Sequence, residues 1–106
     1  MSENHTDPPR DPAFAAVARA RAAEKAFTAA ALAGNYDADV GLTEARAALA
    51  ATVATTPAGL AVITGFVREM TRELEEFYFE DEEAVMFANS LDAAVRRIAE
   101  LPPRVA

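Results

Sequence analysis

The sequence predicts an all-α protein, a small bundle of about four helices spanning roughly residues 12–33, 43–55, 57–78 and 82–101 behind an N-terminal tail. Three observations carry this. Asp11-Pro12 and Thr56-Pro57 each place a capping oxygen before a proline, which suits the first helical position because its missing N–H has no helical partner there. Leu60, Ile63, Val67, Met70, Leu74 and Phe77 recur at intervals of three and four, one continuous apolar stripe. No stretch alternates apolar and polar residues as a strand does.

Residues 1–11 read as a disordered tail, since they carry Pro8 and Pro9 and too few apolar groups to offset the entropy of ordering them. Residues 12–106 then read as a single helical domain. The first helix has a seam made almost wholly of methyl groups: Ala13, Ala16, Ala20, Ala23, Phe27 and Ala30. Such a face lets a partner helix approach closely. The simpler explanation is that alanine is the best helix former. Phe14, Val17 and Leu32 fall off the seam, and Gly34-Asn35 predicts a left-handed cap.

A loop over 35–42 leads to Thr43 as N-cap of a short second helix with Ala45, Leu49 and Val53 on one face. In the third helix, Val62 and Phe66 add a second apolar flank, so its first half is predicted to be buried on more than one side. Ala58, Ala61 and Gly65 give it a small-residue face. Phe77-Tyr78-Phe79 cannot share one helical face, and Glu80-Asp81-Glu82-Glu83 repel within one turn. A break near 79–81 places those acids at the positive end of the fourth helix. The alternative is one helix running to Ala88, with Ser90 capping a shorter last one. Val85, Ala88, Leu91, Val95 and Ile98 form the final stripe, Arg96 and Arg97 sit near its C-terminus, and Pro102-Pro103 stops it.

Composition narrows the chemistry. The 106 residues contain 17 Asp and Glu against 10 Lys and Arg, for a net charge of −7, and no cysteine. Disulfides, zinc fingers and iron–sulfur ligation are excluded. The scattered basic residues argue against nucleic acid, whose binding rests on clustered cations. Residues 47–67 carry no charge over a length that could span a bilayer. Their Thr52, Thr55, Thr56, Pro57, Gly59, Thr64 and Gly65 point instead to a buried helical hairpin. With no basic and apolar leader at the N-terminus, a cytoplasmic location is expected.

No catalytic constellation emerges. The serines are Ser2 and Ser90 and the one histidine is His5, so neither a nucleophilic triad nor a histidine-bearing di-iron site can be assembled. Gly34, Gly41, Gly59 and Gly65 make no phosphate-binding loop. The expectation is therefore no enzyme, no cofactor and no metal. Glu69, Glu73, Glu76, Glu80 and Glu83 lie three or four apart with Glu75, Asp81 and Glu82 beside them. They read as a solvated face, a surface for a basic partner, or a hard-cation site without the EF-hand spacing. The aromatics 77–79 read mainly as core, but one or more of them is hard to bury in so small a bundle and, if exposed beside the acids, makes a mixed apolar and anionic rim. Pro9 to Pro12 matches PxxP, although Pro12 is already explained as a helix start.

The string Thr55-Thr56-Pro57-Ala58-Gly59-Leu60-Ala61, followed by an amphipathic helix and then Ser90-Leu91-Asp92-Ala93-Ala94-Val95-Arg96-Arg97-Ile98, resembles short helical proteins of GC-rich proteobacteria. The resemblance covers about residues 50–101. It implies an all-α fold and brings no activity or catalytic residues with it.

The sequence-level reading of function is a protein–protein interaction or assembly module that self-associates, with a dimer as the simplest form, through Ala16, Ala20, Ala23, Phe27, Val62 and Phe66. The alternative is an acidic regulatory protein that binds a basic partner through Glu76, Glu80, Asp81, Glu82 and Glu83.

Overall fold

A computed structural model describes residues 10–100 as four α-helices with no strand among them. They are α1 (Pro12–Leu32), α2 (Leu42–Ala50), α3 (Pro57–Leu74) and α4 (Asp81–Ala99). The expectations for residues 1–9 of the tail, for His5 and Ser2, for the first proline of PxxP and for the stop at Pro102-Pro103 fall outside the described residues, whereas Asp11, the last residue assigned to the disordered tail, is buried and hydrogen-bonded. Among those described, no helix is long and apolar enough to cross a membrane. Residues 47–67 instead form the end of α2, a turn and the start of α3.

Both proline-led starts form as predicted, and one side chain joins them. The Asp11 carboxylate caps α1 by accepting from the Ala13 amide at 3.0 Å. Its second oxygen accepts from the amides of Thr55 (3.1 Å) and Thr56 (2.9 Å) and from the Thr56 hydroxyl (2.6 Å). That hydroxyl in turn accepts from the Gly59 amide at 3.0 Å, capping α3. Two helix N-termini, each with orphan amides and a positive dipole end, thus converge on one buried anion. Burial pushes the Asp11 carboxyl up, but the Thr56 hydroxyl and the amides of Ala13, Thr55 and Thr56 outweigh it. The net effect holds it below the usual aspartate value.

This clamp explains why α2 ends at Ala50 rather than near Thr55. Thr55 and Thr56 turn their amides toward Asp11, and Thr52 closes the helix by donating from its hydroxyl to the Ala48 carbonyl at 2.6 Å. At the other end, the cap expected at Thr43 is instead Gly41, with φ 75°, and α2 begins at Leu42. Asp39 sets that turn by accepting from the Gly41 amide at 3.0 Å, which leaves Thr43 exposed. The left-handed stop of α1 is present: Gly34 has φ 83°, and the amides of Asn35 and Gly34 donate to the carbonyls of Ala30 and Ala31.

α1 packs on α2 and α3, α2 also packs on α4, and α3 and α4 touch only sparsely. Ala13, Val17 and Ala20 meet Leu49 and Ala50 of α2 and Ile63, Phe66, Val67 and Met70 of α3 in one apolar cluster. Val17, placed off the methyl seam by the sequence, belongs to this core, whereas Phe14 is half exposed. Fully burying each of the larger side chains is worth about 1.5–3 kcal/mol. The alanines contribute little area and instead allow close approach.

α3 stops at Leu74, four residues before the predicted end, because Glu75 takes a left-handed conformation (φ 59°). The turn lets two adjacent aromatics point inward, which a continuing helix forbids. Tyr78 and Phe79 are both buried, and the Tyr78 amide donates to the Thr71 hydroxyl at 3.1 Å. Tyr78 meets Phe66 edge to face at 5.5 Å, and Phe79 lies 4.8 Å from Phe87 of α4. Phe77 is the aromatic left half exposed. The break therefore falls at 75–80, with Asp81, Glu82 and Glu83 in the first turn of α4. Ser90 caps nothing: it lies within α4, buried, and donates to the Ala50 carbonyl at 2.7 Å.

Two glycines of α3 carry opposite predictions. A Cβ on Gly59 would lie 1.9 Å from the Asp11 carboxylate, whereas one on Gly65 meets nothing within 4 Å. Gly59→Ala displaces the clamp and is expected to lower unfolding free energy by about 2–4 kcal/mol in urea titration. Gly65→Ala is expected to raise it by about 0.5–1 kcal/mol through helix propensity. Equal effects at the two positions would contradict the close approach at Asp11.

Candidate interaction groove

The clamp aligns α1 and α3 side by side, running in the same direction with a constant offset. Asp11 sits over Gly59, and ten residues further along each helix Arg21 meets Glu69, at the same separation of 48 in sequence. That pair is bidentate, with Arg21 Nη1 and Nη2 donating to the two Glu69 oxygens at 3.1 and 3.3 Å. The Arg21 guanidinium also lies over the Phe66 ring, 5.0 Å from its centre. The Arg21 charge in turn holds the Glu69 carboxyl below its usual value.

Beyond this rung the two helices part. The next pair in the same register, Lys25 and Glu73, makes no ion pair among the described residues, and a groove of about 580 Å³ opens there. Its walls carry Phe27, Thr28 and Leu32 from α1 and Met70, Glu73 and Leu74 from α3. At its floor lie Phe66 and a polar cluster. Glu24 accepts from Arg46 Nε at 2.9 Å and Nη2 at 2.8 Å, and from the Tyr78 hydroxyl at 2.5 Å. Arg46 stacks over the Tyr78 ring at 4.8 Å.

These floor groups are mutually satisfied. Burial, reinforced by donation to Glu24, holds the Tyr78 hydroxyl far above the ordinary tyrosine value, so it stays a neutral donor. Glu24, with three donors on one oxygen, is committed to structure. The groove lining contains Arg21, Lys25 and Arg46 against Glu24, Glu69 and Glu73, so its formal charge cancels. A surface with apolar walls and balanced charges suits a protein face better than a highly charged small ligand.

The residues expected to form a self-association face are mostly used inside the chain. Ala20 (0% exposed), Ala23 (7%) and Phe66 (2%) are buried in the protomer, and Ala16 and Val62 are half-buried against the core. Within the protomer the methyl seam serves the packing of α1. Of that set, Phe66 lies at the groove floor and Phe27, 39% exposed, stands on its wall. Leu32 (85% exposed) and Leu74 (43%) were the missed residues. The available signal was their distance from the helix starts: both lie at the far ends of helices whose near ends are tied together.

The acidic set lies elsewhere. Glu76 is exposed on the link, and Glu80, Asp81 and Glu82 are exposed around the start of α4, with Glu83 half-buried. Among the described residues, no group of three or more histidine, cysteine or acidic side chains is arranged to hold a metal ion.

Removing the Tyr78 hydroxyl tests the floor cluster. Tyr78→Phe is expected to cost about 1–2 kcal/mol in equilibrium unfolding, because a part-buried hydrogen bond to a charged acceptor is lost without a change of shape. A change below about 0.3 kcal/mol would contradict the cluster. No family profile, curated protein or solved structure matches the chain.

Proposed function

We propose that this protein is a small helical assembly module that acts in the cytoplasm and self-associates through apolar helix surface, without catalytic chemistry of its own. The observation that carries this reading is the far end of α1. Its last buried residue is Ala23, and the following turns to Leu32 project Phe27 and Leu32 outward. These last turns only extend a helix already nucleated and packed at its start, so nothing among the described residues fully covers their apolar side chains. Apolar side chains at its tip gain most from a partner that covers them.

A second reading has its own support. Phe77 stays half exposed next to the acids that open α4, a mixed apolar and anionic rim that suits a basic protein partner. The two readings differ in salt dependence. Self-association by apolar packing persists at high ionic strength, whereas capture of a basic partner by exposed carboxylates is screened over about 10 Å at 0.1 M salt.

Sedimentation velocity on the purified chain at tens of micromolar is expected to give a dimer at both low and high salt. Leu32→Glu is expected to give monomer with unchanged helical circular dichroism, because that side chain makes almost no contact within the chain. A monomeric wild type under these conditions would refute self-association.

A further inference from the structure

We propose that the groove between α1 and α3 seats a second copy of this chain about a twofold axis. Each copy inserts Phe27 and Leu32 into the other's groove, and Lys25 of each pairs with Glu73 of the other. This rests on the self-association reading and specifies its surface.

Charge distribution selects the occupant. The chain carries a net charge of −7, so two copies repel at most approaches. α1 is the cationic exception, holding Arg19, Arg21 and Lys25 against the single acid Glu24. Its neighbour across the groove offers Glu69 and Glu73, and Glu69 is already committed to Arg21. Lys25 and Glu73 stand as one cation and one anion on opposite walls at the next rung, where the register predicts an ion pair and none forms, the Glu73 charge being felt also by Arg21.

A twofold axis turns that open rung to use. The Lys25 wall of one copy faces the Glu73 wall of the other, and the same contact is repeated on the second side, as an isologous interface requires. The apolar tips then fill the space that parts the helices, meeting Met70 and Leu74. The occupant must itself offer an apolar helix end with a cation about two turns before its tip, and α1 of this chain has that composition.

Mixing charge variants tests the pairing. Lys25→Glu places two acids opposite each other twice in the dimer, and Glu73→Lys places two cations so. Each variant alone is expected to dimerise roughly tenfold or more weakly than wild type. An equimolar mixture restores opposite charges at both contacts and is expected to regain dimer near the wild-type affinity, read by sedimentation velocity and by native mass spectrometry as the mixed species. Both side chains are exposed, and circular dichroism checks that the fold is kept. If both variants weaken the dimer and mixing does not rescue it, the charges act within one chain and the proposal fails. If wild type dimerises and both variants match it, this surface is wrong while self-association stands. A monomeric wild type overturns both.

Discussion

The Asp11 carboxylate is the interaction on which the remaining geometry depends. Two parallel helices that begin side by side place their positive dipole ends together, which is unfavourable unless an anion lies between them. Asp11 supplies it and also accepts the orphan amides that such ends leave. The contact is closed by the missing side chain at Gly59, which lets α3 come within touching distance of the carboxylate. A hydroxyl at Thr56 passes the hydrogen bonding onward to the first turn of α3.

From that fixed end the register of α1 on α3 follows. Packing is tight where alanines line α1 and ends where Arg21 closes on Glu69, after which the helices part. The opening is a consequence of tying the helices at one end only: α2 is short, and the chain after α3 turns back into the core through Tyr78 and Phe79 instead of following α1. The groove thus has a mechanical origin, and its floor is held by the Glu24, Arg46 and Tyr78 cluster; among the described residues no buried side-chain nitrogen or oxygen lacks a partner.

The helices were legible in the sequence because their signals are local. Asp11-Pro12, Thr56-Pro57 and Gly34-Asn35 mark ends through backbone chemistry that needs no tertiary contact. Ends set by distant residues were not legible. α2 stops early because Thr55 and Thr56 turn toward Asp11, more than forty residues away in the chain. α3 stops early because Glu75 turns left-handed and two aromatics enter the core. The surface was harder still. Periodicity identified an alanine seam but not whether it met another helix of the same chain or a second copy, since close approach looks the same in both. Phe27 was found as part of that seam, whereas Leu32 and Leu74 fell to other roles because exposure at a helix end depends on how long its neighbours are.

The most direct test of the account is a double-mutant cycle of unfolding free energies between Asp11→Ala and Thr56→Val. If one carboxylate joins the two helix starts, the two changes remove the same link, and the cycle gives a coupling of about 1–2 kcal/mol. Additivity within about 0.3 kcal/mol would mean that each helix is capped independently. The shared anion would then not be what sets α1 against α3.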